Sequence, residues 1–325
     1  TVANISLTGS GSSVTNAVSL TNDGTLRIGD GDAETYTFNG GLNTTGVLGT
    51  VTLHGALSSS DDALTFGALT LGGATSMNTV ATTTAGDITL GAVTGGGYAL
   101  TLSTGDNIAS SDITGTSISN VSTLTLSNVG GTASFTGDVD VSTLTAGSTV
   151  ANISLTGSGS SVTNAVSLSN DGILTIGDAS TDTITFTGGL TATAQSGVNL
   201  AGTVETTNTT MSLGASTLNA ATTLSTGSGA INLTTVNGGQ AFAINSTGTV
   251  TTTGALGGST ALTSLTTNAG GTSVLGGNVT TTGAQTYNDA VTLSGILTNQ
   301  SSNMTFANTL NVSGTSALTS DNYAF

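Results

Sequence analysis

The sequence predicts an all-β chain: a parallel β-solenoid of about 15 coils, with almost no α-helix. Three observations carry this reading. Short apolar-alternating runs recur every 10 to 12 residues, glycine-rich pairs punctuate them, and a long internal repeat tolerates the loss of units.

The runs include Val2-Ala3-Asn4-Ile5-Ser6-Leu7, Leu26-Arg27-Ile28, Thr35-Tyr36-Thr37-Phe38, Leu64-Thr65-Phe66, Ile88-Thr89-Leu90 and Leu124-Thr125-Leu126. Period-two alternation turns one side chain inward and the next toward water. Between the runs lie Gly-Ser, Asn-Asp-Gly, Gly-Gly and Thr-Gly pairs, which are turn signals. No stretch has the i, i+3, i+4 apolar spacing of a helix.

The repeat sets the organisation. Thr1–Leu20 reads TVANISLTGSGSSVTNAVSL, and Thr149–Leu168 is identical to it. Extended to Leu42 and Leu190, the match keeps 33 of 42 positions. Later blocks match at shorter offsets: Gly86–Gly105 resembles Gly229–Gly248, and Gly130-Gly131-Thr132 matches Gly270-Gly271-Thr272. A third partial copy begins near Val291, where VTLSGILTNQSSNMTF echoes Val51–Phe66. The chain therefore reads as module copies over 1–148 and 149–288 with a partial copy over 289–325, in one continuous solenoid. Loss of the third copy's opening suits a solenoid, because each coil touches only its neighbours.

Antiparallel sandwich modules show strands at similar spacing. They need a core about 10 Å thick, commonly aromatic, and this chain is 3% aromatic. A coil of roughly 18 to 25 residues needs only a thin interior, since each coil bonds to the next about 4.8 Å away. Composition agrees. Of 325 residues, 71 are Thr and 41 are Ser, whose ladders pair with themselves and with backbone. Charged residues make up 6%, so stacked like charges are few, and there is no Pro to interrupt the ladders. The 48 glycines suit corners that need positive φ.

The same numbers exclude functions. Seventeen acidic residues against one basic residue give a net charge of -16, which cannot neutralise a phosphate backbone or an anionic membrane surface. Without cysteine there is no disulfide scaffold and no thiolate metal site. No run approaches 18 apolar residues. The first residue is Thr, without a start methionine or a basic leader, so the chain reads as a mature or excised segment, and its acidic, Cys-free composition suits export.

The repeats resemble the Gly-, Thr- and Ser-rich β-strand repeats of large bacterial surface adhesins and filamentous-haemagglutinin-like exoproteins. Leu174–Leu190 (LTIGDASTDTITFTGGL) and Thr281–Gly295 (TTGAQTYNDAVTLSG) carry the likeness. The resemblance implies right-handed β-helix stalks, export to the bacterial cell surface and roles in adhesion or matrix.

Candidate chemistry is sparse. Asp30, Asp32 and Glu34, with Asp178 and Asp182 in the second copy, are oxygen donors on a Gly-bearing turn of the kind that holds Ca²⁺. They lack the nonapeptide calcium pattern, so a solvated turn is the expectation. Asp61-Asp62 reads as a loop tip. A polysaccharide lyase needs a cation for its enolate; Arg27 is the sole candidate, its second-copy equivalent is Thr175, and it reads as an exposed strand residue. His54 has no triad partners and reads as an exposed turn residue. No catalytic site and, calcium at that turn aside, no cofactor is expected; the chain does not read as an enzyme. Phe38, Phe66, Phe135, Phe186, Phe242 and Phe306 read as interior fillers.

The expected function is a structural extracellular fibre or stalk; the rival is an adhesin that grips a glycan or a cell surface. Solenoid ends carry open hydrogen-bonding edges that need caps, and neither end of this sequence reads as capped. The expected partners are other copies of the chain or the rest of a longer repeat chain, through Thr1, Val2 and Ile5 at one end and Tyr323 and Phe325 at the other.

Overall fold

The computed structural model describes residues 3–105, 108–300, 302–313 and 315–320, with the backbone of 322–324. No helix occurs among the described residues, and the strands build a β-solenoid of about 15 turns. The strand pairs whose registers define the faces below are all parallel, which excludes the sandwich alternative. Partners one turn apart are separated by between 18 residues (Val51↔Leu69) and 25 (Leu26↔Val51). The chain divides into two compact units, Thr1–Thr163 with Ser169–Gly172 and Asn164–Leu168 with Ile173–Phe325.

In the first unit each turn passes through three faces. One stacks Ile5–Leu7, Leu26–Ile28, the starts of Val51–Ser58 and Leu69–Asn78, Val93–Thr94, the starts of Ile118–Leu126 and Val139–Ala146, and Ser161–Val162. The second stacks Ser12–Val14, Thr35–Phe38, the ends of those long strands and Ala99–Ser103. The third runs from Val18–Ser19 through Leu42–Asn43, Leu64–Phe66, Ile88–Leu90, Ile113–Gly115 and Val129–Phe135 to Val150–Leu155.

Inward positions form like-on-like apolar columns, such as Leu42, Leu64, Ile88, Ile113, Ala133 and Ile153. All six are buried. Outward positions form the complementary column Asn43, Thr65, Thr89, Thr114, Ser134 and Ser154. Gly115 faces Phe135 in the interior column, and a Cβ there would stand 2.6 Å from the phenyl ring. The glycine is the space into which the ring packs.

The repeat does not return to its starting face. Ile5–Leu7 opens the first copy on the first face, whereas its duplicate lies within Val150–Leu155 on the third. Ser12–Val14 likewise lies on the second face, whereas Ser161–Val162, the duplicate of its Ser13-Val14, pairs on the first. The 148-residue module is thus not a whole number of turns.

The second unit repeats the plan. One face carries eight strands, from Val166–Ser167 to Leu310–Val312. Another carries the outward column Thr183, Thr203, Thr223, Ala243, Thr266, Thr286 and Thr305. All six phenylalanines expected inside are buried. Phe306 stacks on the ring of Tyr287 one turn earlier, with centroids 5.0 Å apart.

Candidate functional site

A set of polar side chains lies at the corner between Leu26–Ile28 and Thr35–Phe38. Gly29 leaves the strand at φ +85°, and the chain doubles back through Asp30-Gly31-Asp32-Ala33. Glu34 closes the corner. Its Oε2 accepts the N–H groups of Asp30 (2.7 Å) and Gly31 (3.2 Å) and the Tyr36 hydroxyl (3.0 Å). These bonds, the one from Asp30 N–H above all, hold the Glu34 carboxyl below its ordinary pKa. Burial first, and then the Glu34 bond and charge, push the Tyr36 phenol up to about 12.

The next turn packs onto this corner. Ala56 N–H donates to the Glu34 carbonyl at 2.8 Å. Gly55, at φ +74°, passes so close that a Cβ would lie 2.5 Å from that oxygen. A bulge between Leu53 and Gly55 carries the strand Val51–Ser58 around the corner. His54 sits at the bulge. It is a half-buried strand residue rather than the expected exposed turn residue, with its ring lying against Gly72 and Gly73.

The second copy rebuilds the corner with other side chains. Asp182 Oδ2 accepts from Asp178 N–H and Ala179 N–H, both at 2.9 Å. Thr203 N–H donates to the Asp182 carbonyl at 2.7 Å, and Gly202, at φ +73°, lies against that same oxygen. Asp182 is buried, while Asp30, Asp32 and Asp178 are exposed. The structure thus brings Asp30 and Glu34 together, and Asp178 and Asp182 together, as turn closures in which the carboxylate meets backbone N–H. No group of three or more His, Cys, Asp or Glu side chains with metal-binding geometry occurs among the described residues.

Carboxylate and amide side chains do the same work at other corners, a role that sequence reading missed. Asp61, at φ 60°, accepts N–H bonds from Thr82, Thr83 (2.9 Å) and Thr84 (3.4 Å) one turn later. Those bonds, led by that from Thr82, lower its pKa. Asp138 takes Gly159 N–H at 2.8 Å, Asn208 takes Ser228 N–H at 3.0 Å, and Asn237 takes Ser259 N–H at 2.8 Å. The available signal was an Asx residue about 20 positions before a Ser/Thr/Gly corner.

Arg27 is an exposed strand residue, as expected; its Nε donates to the Gly29 carbonyl at 2.9 Å. Of the residues expected at the ends, Ile5 is a half-buried inward residue paired with Leu26. The backbone of Tyr323 pairs with Met304. Thr1, Val2 and Phe325 lie outside the described residues.

Open grooves run beside the corners. One of about 600 Å³ is lined by Asn120, Ser122, Asp140, Ser142, Ser161 and Thr163, among others. Desolvation first, and the Asp138 charge second, raise the Asp140 carboxyl there. A groove of about 340 Å³ beside Ala17-Val18-Ser19 and Gly40-Gly41 recurs in the second unit beside Ala165-Val166-Ser167 and Gly188-Gly189. Cβ atoms at Gly40 and Gly188 would stand 2.5 and 2.3 Å from the Ala17 and Ala165 nitrogens. Close stacking at bare corners therefore makes these grooves.

No protein-family model matches the chain, and neither the curated proteins nor the solved structures yield a match.

Proposed function

We propose that the chain is a structural element of an extracellular fibre or stalk, extended by pairing of its end turns with further turns of the same kind. The observation that carries this reading is how the acidic groups are used. Glu34, Asp61, Asp138 and Asp182 accept backbone N–H bonds and hold one turn to itself or to the next. Cohesion along the stack comes from continuous parallel ladders and apolar columns, which suits a load-bearing element. Hydroxyl columns outside keep it soluble, and the Lys-free, Cys-free acidic composition favours an exported setting, at a bacterial cell surface on the resemblance above.

Electron microscopy and fibre diffraction of the concentrated chain test this reading. Filaments with an axial repeat of about 4.8 Å are expected. A chain that sediments as a monomer at every concentration would overturn the polymerising part.

The Asp140 groove favours a second reading, adhesion to a neutral glycan, because its open wall presents Ser, Thr and Asn groups beside one carboxyl. A glycan array that yields no ligand, or ligands unaffected by Ser142→Trp, would remove it.

A further inference from the structure

The sequence holds two Asn-Gly pairs, Asn39-Gly40 and Asn237-Gly238. The dipeptide carries a chemistry of its own. Glycine has no Cβ to shield its nitrogen, so that nitrogen can reach the carbonyl carbon of the preceding side-chain amide. The fold treats the two pairs differently.

Asn237 is engaged. Its Oδ1 accepts Ser259 N–H (2.8 Å) and Thr260 N–H (3.4 Å) from the next turn, and Gly238 N–H donates to the Thr260 carbonyl at 3.4 Å. Gly238 is buried. Bringing this nitrogen onto Asn237 Cγ requires the corner to part from the turn that follows it.

Asn39 and Gly40 are the central residues of a tight turn, closed by Gly41 N–H on the Phe38 carbonyl at 2.8 Å. Both are half-buried, so water reaches them. Among the described residues, neither the Asn39 side-chain amide nor the Gly40 N–H makes a hydrogen bond. The second copy builds the same turn, with Gly189 N–H on the Phe186 carbonyl at 2.9 Å. Its central pair is Thr187-Gly188, which has no amide to react.

We propose that Asn39-Gly40 is a self-modification site with water as its only co-reactant. The Gly40 nitrogen bonds to Asn39 Cγ. The bond from Cγ to the side-chain nitrogen breaks, and ammonia leaves with the Gly40 proton. A succinimide results. Water then adds to it and one ring C–N bond opens: attack at Cγ gives aspartate, and attack at the main-chain carbonyl gives isoaspartate. Either product places a new carboxylate at the corner where Gly41 lies against Asp62, a Cβ on Gly41 standing 3.3 Å from the Asp62 Cβ. Isoaspartate also lengthens the main chain and moves the carbonyl that accepts Ser60 N–H at 3.4 Å. The site is therefore a slow, irreversible loosening of one corner, which the second copy escapes. It stands independently of the fibre reading.

The test incubates the full folded chain at mildly alkaline pH and maps its peptic peptides by mass spectrometry, with isoaspartate scored by enzymatic methyl transfer. Asn39 should convert at least about tenfold faster than Asn237, and the two rates should converge in urea, where the protection of Asn237 is lost. Asn39→Thr, which installs the residue found at position 187, should remove the conversion and leave the melting temperature unchanged. Equal rates in the folded chain, or faster conversion at Asn237, overturn the proposal. So does a folded chain in which Asn39 stays intact while the urea-unfolded chain converts. Aspartate without isoaspartate overturns the succinimide route. Hydrogen exchange at Gly41 and Ser60 should quicken in the converted chain; unchanged exchange there overturns the loosening.

Discussion

The corners at Asp30–Tyr36 and Asp178–Ile184 occupy the same place in the two module copies, yet their side chains differ at the point of closure. Glutamate closes the first and aspartate the second. The first adds a tyrosine hydroxyl, whereas Ile184 offers none. What persists is the geometry: a carboxylate taking two N–H groups, and a positive-φ glycine of the next turn pressed against the corner carbonyl. The lesson is that the module preserves the closing of a turn rather than a set of ligands, so a calcium-binding reading of these acids competes with work they already do.

The largest effect is expected where both corners agree. Gly55→Ala and Gly202→Ala each force a Cβ against a carbonyl oxygen at positive φ, and each should cost about 2–4 kcal/mol in denaturant unfolding. Near-neutral behaviour of either variant would break the equivalence of the corners.

Asp182→Ala strips the acceptor from two N–H groups beside a buried side chain and should cost about 1–3 kcal/mol. Glu34→Ala should cost less, because water reaches that carboxylate and can replace it. Equal effects would mean that burial does not separate the two sites.

The Glu34 pKa gives the pH dependence its sign. A carboxyl whose folded pKa is lowered stabilises the corner above its unfolded value, and that contribution is lost as pH falls through the lowered folded value. Corrected exchange protection at Asp30 and Gly31 should therefore fade on acidification through the Glu34 midpoint followed by NMR. Glu34→Gln should remove that pH dependence.

Tyr36→Phe removes one hydrogen bond that the second copy lacks, and should cost about 0.5–1.5 kcal/mol. The smallest effect is expected for Arg27→Thr, which installs the residue found at position 175. It should stay within about 0.5 kcal/mol by thermal melting.

Much of the fold was legible because period-two alternation and stacking are local rules. Leu64-Thr65-Phe66 and Ile88-Thr89-Leu90 read as half-buried strands and pair in register as such. Val51–Ser58 was less transparent. Its alternation is unbroken, yet a bulge after Leu53 bends it across two faces, and no single-strand pattern announces that corner or places His54 on it. The acids of the candidate site were found as residues but not as donors' partners, because their N–H groups lie either three or four residues back or a full turn away.

The sequence by itself determined that the strands alternate, that the interior is thin and aliphatic, and that one long module recurs, since these follow from side-chain period and composition. Only the tertiary structure decided on which face each strand lies. The identical segments at Ile5–Leu7 and Ile153–Leu155 lie on different faces because face is set by the accumulated length of every preceding turn.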